Sequence, residues 1–182
     1  MGAALTMIVL APILQKVATV AEPWSTFYGD SVAASVTVTF AHLGGLLFGG
    51  GLAISADRAT LRGARGNEAD RAQLLTYLSE THRWVLSALA LIFVSGLLLA
   101  LSDVKTFGPS PIYWTKMSLV LLLLINGAIL QRTEQGLRAK ILLSPASPDV
   151  SRGWARLRLT AVASMILWTS IVLAGVVLVE AS

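Results

Sequence analysis

Four long apolar segments decide what kind of protein this chain can form. They cover roughly residues 31–56, 84–102, 112–131 and 159–179, and they contain few charges. An α-helix needs about 20 apolar residues to cross the hydrocarbon core of a bilayer. We therefore predict an all-α integral membrane protein, a four-helix bundle in which residues 1–182 form a single membrane domain.

The charged residues lie mostly between these segments. Only 13% of the residues are charged, against about 25% in a typical soluble domain, and most of them fall in two blocks, 55–83 and 131–158. The net charge of +4 therefore belongs to loops that flank apolar spans, and we do not interpret it as a nucleic-acid-binding surface. The chain has no cysteine, which excludes disulfides, thiolate metal sites and covalent c-type haem.

Lysine and arginine counts predict the orientation. The 55–83 block has five basic residues and the 131–158 block has six, whereas 103–111 and 1–30 have one each. The positive-inside rule places both basic blocks in the cytoplasm. We predict a multi-pass protein of the cell inner (plasma) membrane, with both termini outside the cytoplasm.

The tryptophans agree with this orientation, because amphipathic rings favour the membrane–water boundary. Trp84 and Trp154 fall at the predicted cytoplasmic boundary, and Trp24 and Trp114 fall at the outer one. Trp168 falls in the middle of the fourth span, so we expect it to pack inside the bundle.

Residues 1–22 are predicted to form an outer interfacial helix, within an outer segment that ends at residue 30. Gln15, Thr19 and Glu22 share one helical face, and a proline and a lysine in the same stretch argue against a fifth span, which is the alternative. The stretch "EPWSTFYGD" is predicted to turn the chain into the first span.

Few polar groups lie within the spans, and His42 is the first of them. It shares one helical face with Gly45 and Gly49. One interpretation is a tight helix–helix seam, across which His42 forms a hydrogen bond. The other is a b-type haem, with His42 as the axial metal ligand and with the two glycines allowing the macrocycle to approach the backbone.

His82 is the other histidine of the chain, and we expect that it does not share a haem with His42. Counted from the outer surface, the two residues differ in depth by roughly 13 Å at helical rise. Helix tilt recovers only part of that difference. We expect His82 at the cytoplasmic interface.

Lys116 and Asn126 are the other polar groups within the spans. Lys116 lies about one turn inside the outer end of the third span, where its flexible stem lets it snorkel to the headgroups. The functional alternative is a counter-charge for a propionate of a haem held at His42. Asn126 is expected to form a hydrogen bond between helices. Two histidines at different depths give no cluster of metal ligands.

The order of these features resembles a superfamily of small four-helix membrane proteins. The first span contains "FAHLGG" and ends in "DRATLRG", the second contains "FVSGLLLAL", and the third opens with "YWTKMSLVLLLLINGAIL". The superfamily includes the HemJ-type protoporphyrinogen oxidases and the CopD copper-resistance proteins, and the likeness covers most of residues 31–179. In the HemJ type a first-span histidine is associated with b-type haem and a third-span lysine is important. His42 and Lys116 match these positions, so the resemblance implies haem b at His42.

Two classes of function follow for this chain. One is a b-type haem-binding membrane protein that is redox- or tetrapyrrole-linked, with His42, Gly45, Gly49 and Lys116 at the cofactor. The other is a non-catalytic accessory subunit that packs in a larger membrane complex or associates with itself. The run "LLFGGGLAIS" replaces the aromatic-rich stretch that follows the histidine in the HemJ type. The chain also lacks histidine- or methionine-rich ligand sets of the CopD kind, so the resemblance implies no particular reaction.

Overall fold

The structure is a computed structural model that describes the backbone of residues 2–143 and 147–180. Within these residues the chain forms six helices and no strand, which confirms the all-α prediction. The helices are α1 (Gly2–Asp30), α2 (Val32–Gly63), α3 (Glu68–Ser102), α4 (Val104–Phe107), α5 (Pro111–Leu143) and α6 (Pro148–Glu180).

Four of these helices, α2, α3, α5 and α6, are long and apolar enough to cross a membrane. They contain the four predicted spans and are compatible with a multi-pass integral membrane protein. Large apolar side chains cover their outer surfaces, since Leu47 on α2 is 81% exposed and Leu159 on α6 is 70% exposed. Contact with lipid removes the cost that such side chains would have in water.

The helices extend beyond the predicted spans at the basic end of the bundle, the end that carries the 55–83 and 131–158 blocks. Helix α3 begins at Glu68, well before the second predicted span. The Asn67 side chain accepts a hydrogen bond from the Asp70 amide at 2.9 Å, and the Asp70 carboxylate accepts one from the Asn67 amide at 3.0 Å. This capping box fixes the start of α3.

Helix α1 differs from the sequence prediction at its C-terminal end. The stretch expected to turn the chain is helical through Asp30, and Ser31 alone separates α1 from α2, which it caps. Two side chains anchor α1 to the end of α3: Trp24 Nε1 donates to the Leu98 carbonyl at 2.8 Å, and Ser25 Oγ donates to the Ser102 carbonyl at 2.7 Å. Where α1 lies relative to the membrane stays a prediction.

The four long helices pack as two antiparallel hairpins, α2–α3 and α5–α6, which meet mainly between α2 and α6. Glycines on α2 set the spacing of the first hairpin. A Cβ atom on Gly49 would lie 2.7 Å from the Ala88 Cβ, and one on Gly63 would lie 3.1 Å from the Leu74 Cβ. The helices are therefore in close contact at both positions: a Cβ on Gly49 would clash with Ala88, and one on Gly63 would require Leu74 to shift slightly.

Two tryptophans are buried among side chains of the bundle, and the sequence predicted this burial for one of them. Trp168 packs in the centre of the bundle, as predicted, and Gly50 on α2 lies against its ring. Trp154, expected at the membrane boundary, is only 3% exposed and belongs to a core cluster with Leu75 and Leu157 at the basic end. The extensions of α3 and α5 at the basic end cover it, and the positions of tryptophans in the sequence do not indicate that cover.

Candidate functional site

The His42 side chain is buried between α2 and α3, and its hydrogen bonds define its tautomer. Its Nδ1 atom lies 3.2 Å from the Ile92 carbonyl and 3.1 Å from Ser95 Oγ. The carbonyl can only accept, and the Ser95 hydroxyl donates its hydrogen to the Leu91 carbonyl at 2.6 Å. Both neighbours therefore accept from Nδ1–H, and we assign this tautomer from the hydrogen-bond network. In this tautomer the lone pair is on Nε2.

A serine–glycine pair on α3 positions this ring, and the sequence analysis did not assign it a role. Ser95 is buried and bonds Nδ1. A Cβ atom on the next residue, Gly96, would lie 3.0 Å from His42 Cε1. The imidazole thus lies close to bare backbone, and a residue larger than glycine at position 96 would require the ring to shift by a few tenths of an ångström. The sequence feature that could have indicated this pair is the "S-G" in "FVSGLLLAL".

The glycines predicted to seat a haem contact α3 instead. A Cβ atom on Gly45 would lie 2.9 Å from Ile92 Cγ1, and one on Gly49 would meet Ala88. Gly44 and Gly51 have no atom of another element within 4 Å of such a Cβ. The stripe from His42 to Gly49 therefore forms a seam within one chain, with His42 bonded across it, as in the first of the two interpretations.

The structure brings Lys116 to the level of His42. Because α2 and α6 are antiparallel and Gly50 faces Trp168, the level of His42 on α2 corresponds to about Gly175 on α6. The Lys116 ammonium lies 3.4 Å from the position of a Cβ on Gly175, and its charge interacts with His42. Among the described residues no carboxylate forms an ion pair with Lys116, so its positive charge is not paired there.

His82 and Asn126 lie nearer the basic end. His82 is thirteen residues before Ser95 on α3, which is about 20 Å along the axis at helical rise. That separation is larger than expected, and it keeps both histidines from binding one iron. The His82 Nε2 atom is buried and has no hydrogen-bond partner in the described part of the chain. Asn126 donates to the Thr160 carbonyl at 2.9 Å and joins α5 to α6, as predicted.

Asp57 is a buried polar group that sequence reasoning missed. It is 4% exposed, its carboxyl interacts with the Ser164 hydroxyl on α6, and its Oδ2 has no partner among the described side chains and backbone. The predicted first span ended at residue 56, so Asp57 was assigned to the loop. Helical periodicity could have predicted the burial of Asp57, because Ala53 and Asp57 continue the helical face of Gly49.

The described residues contain no group of three or more histidine, cysteine, aspartate or glutamate side chains that could hold a metal ion. An iron at His42 would need its other ligands from a macrocycle, as in haem. No protein-family model, curated protein or solved structure matches the chain. The assignment of a function therefore depends on the residues of the chain and their geometry.

Proposed function

We propose that the chain is an integral membrane protein that binds b-type haem through His42 Nε2, in a redox- or tetrapyrrole-linked role. One observation carries the proposal: Nδ1–H donates to the Ile92 carbonyl and to Ser95, which directs the lone pair of Nε2 away from α3. Histidines that bind metals almost always donate their other ring N–H to a carbonyl or carboxylate, which fixes the tautomer and the ring orientation.

Lys116 is the second residue of the proposed site. Its ammonium is half-buried, lies at the level of His42 and has no carboxylate partner among the described residues. A cation without a counter-charge in a low-dielectric region is costly, and a haem propionate would supply that charge. The placement favours this role over snorkelling, because the ammonium lies beside Gly175 on the neighbouring helix.

The side chains of His42 and Lys116 suit a bound haem, but the two glycines that were predicted to lie against its ring do not. The imidazole and the ammonium suit an iron and a propionate. Gly45 and Gly49 do not provide a face for the ring, because Ile92 and Ala88 occupy it. When bound, the haem would supply one-electron chemistry at its iron. The chain's own part is to orient Nε2 and to neutralise the propionate.

An accessory subunit is the second candidate function, and the closed seam favours it. Packing between α2 and α3 accounts for His42, Gly45 and Gly49 without any cofactor. The exposed apolar side chains of the four long helices would then contact lipid and partner subunits, or a second copy of the chain.

A visible spectrum of the purified protein separates the two candidates. Expressed with sufficient haem supply and purified in mild detergent, the protein is expected to show a Soret band and a sharp α-band on reduction. The pyridine haemochrome assay should give about one haem per chain. A protein that shows no Soret band after incubation with excess haem would contradict the haem proposal and favour the accessory subunit.

We also propose that the basic end of the bundle lies in the cytoplasm, supported by the distribution of lysine and arginine. The chain has no cysteine, so a thiol reagent labels only the single cysteine that is introduced. Ala69→Cys and Ser151→Cys, both at exposed positions of the basic end, are expected to resist a membrane-impermeant thiol reagent in intact cells. Lys105→Cys, at the other end, is expected to react. The reverse pattern would invert the topology.

A further inference from the structure

A cleft at the basic end of the bundle carries a concentration of positive charge that no role described so far explains. It has a volume of about 440 Å³ and lies between the α2–α3 turn and the start of α6. Arg65, Arg71 and Arg158 line it, together with Ser147, Ser151 and the buried Trp154. No acidic residue is among the described residues that line the cleft.

Arg71 is held in position within this cleft. Its guanidinium lies over the Trp154 ring, 5.3 Å from the ring centroid, and its Nη2 donates to the Ala64 carbonyl at 3.3 Å. Its Nε atom is buried and has no hydrogen-bond partner in the described part of the chain. The ring contact and the hydrogen bond hold the guanidinium in place at the wall of the cleft.

Two of the carboxylates near the cleft already have other partners. Asp70 forms the capping box with Asn67. Asp149 pairs with Lys140 at 3.5 Å and with Arg152 at 3.4 Å. None of the three lining arginines forms an ion pair within the described residues. Among the described residues, no direct ion pair therefore holds the three lining arginines.

The first turn of α6 adds to this positive potential. Helix α6 begins at Pro148 and has 33 residues, and residues of its first turn, including Val150 and Ser151, line the cleft. The amide groups at the start of a long helix carry partial positive charge and bind anions. The dipole and the three guanidinium groups act on the same volume.

We propose that this cleft binds a phosphate group, presented by the headgroup of an anionic phospholipid. Guanidinium groups match phosphate oxygens with paired hydrogen bonds, and arginine is favoured for this purpose. The depth favours a lipid as the source, because Arg158 directly precedes the apolar part of α6 and the exposed Leu159. Basic pockets at the ends of membrane helices are suited to such headgroups.

The test is native mass spectrometry of the full chain in detergent, titrated with phosphatidylglycerol or with zwitterionic phosphatidylcholine. The double variant Arg65→Gln/Arg158→Gln removes two lining charges and leaves the Arg71–Trp154 contact intact. The control Arg62→Gln/Arg132→Gln removes two exposed charges outside the cleft. We expect the cleft variant to bind phosphatidylglycerol about tenfold more weakly than the native chain, and the control to bind it nearly as well.

A second titration with inorganic phosphate, followed by thermal unfolding, distinguishes the source of the phosphate. Stabilisation by phosphatidylglycerol but not by inorganic phosphate, lost only in the cleft variant, supports the lipid. Equal stabilisation by millimolar inorganic phosphate, lost in the same variant, would replace the lipid with a soluble phosphate. Equal binding of phosphatidylglycerol by the cleft and control variants would overturn the site. None of these results depends on whether His42 binds haem.

Discussion

Gly49→Leu is expected to prevent the α2–α3 hairpin from closing, whereas Gly51→Leu should leave the protein folded. A Cβ atom on Gly49 would lie 2.7 Å from the Ala88 Cβ, but one on Gly51 meets no other element within 4 Å. A small overpacking error in a core costs about 1–3 kcal/mol, and a leucine adds a whole branched side chain to a closed seam. On Gly51 the same leucine adds apolar surface on the outside of α2.

The measurement is the monodisperse yield and the midpoint of thermal unfolding of each variant in the same detergent. Gly45→Leu should behave like Gly49→Leu, because its Cβ would lie 2.9 Å from Ile92 Cγ1, and Gly44→Leu should behave like Gly51→Leu. If all four variants were equally stable, α2 and α3 would not pack through the glycine stripe.

His42→Ala is expected to abolish haem binding, and His82→Ala should leave most of it. His42 has an anchored ring and a free Nε2 lone pair, while His82 lies about 20 Å away along α3. Lys116→Ala should keep the iron ligand but retain less haem through purification, since one charge-assisted contact is lost. The measurement is pyridine haemochrome content per chain for the three variants.

Thermal unfolding of the same preparations separates ligand loss from misfolding. His42→Ala also removes hydrogen bonds to α3, so its apoprotein should lose some stability, about 0.5–2 kcal/mol. Loss of haem from a variant that still folds identifies the ligand. Equal loss of haem in the His42 and His82 variants would show that both histidines bind iron. The assignment of His42 as the haem ligand without His82 would then be wrong.

Local pattern in the sequence was sufficient for much of the fold. Runs of apolar residues predict the number of spans and the all-α class. Helical periodicity predicts that His42, Gly45 and Gly49 share one face. Burial of Trp168 and the interhelical bond of Asn126 followed from their depth within a span. Each of these features is a property of one segment, which is why a single sequence predicts it.

Only the tertiary structure shows which neighbouring element packs against each helix face. The glycine stripe suits a macrocycle, a partner or a neighbouring helix equally well, and the packing of α3 selects the helix. Asp57 and Trp154 are buried, Asp57 beside Ser164 of α6 and Trp154 among side chains of α3 and α5. The cleft at the basic end brings Arg158 to Arg65 and Arg71, which are nearly ninety residues earlier in the chain. Such juxtapositions arise from packing between segments, and periodicity within one segment carries no information about them.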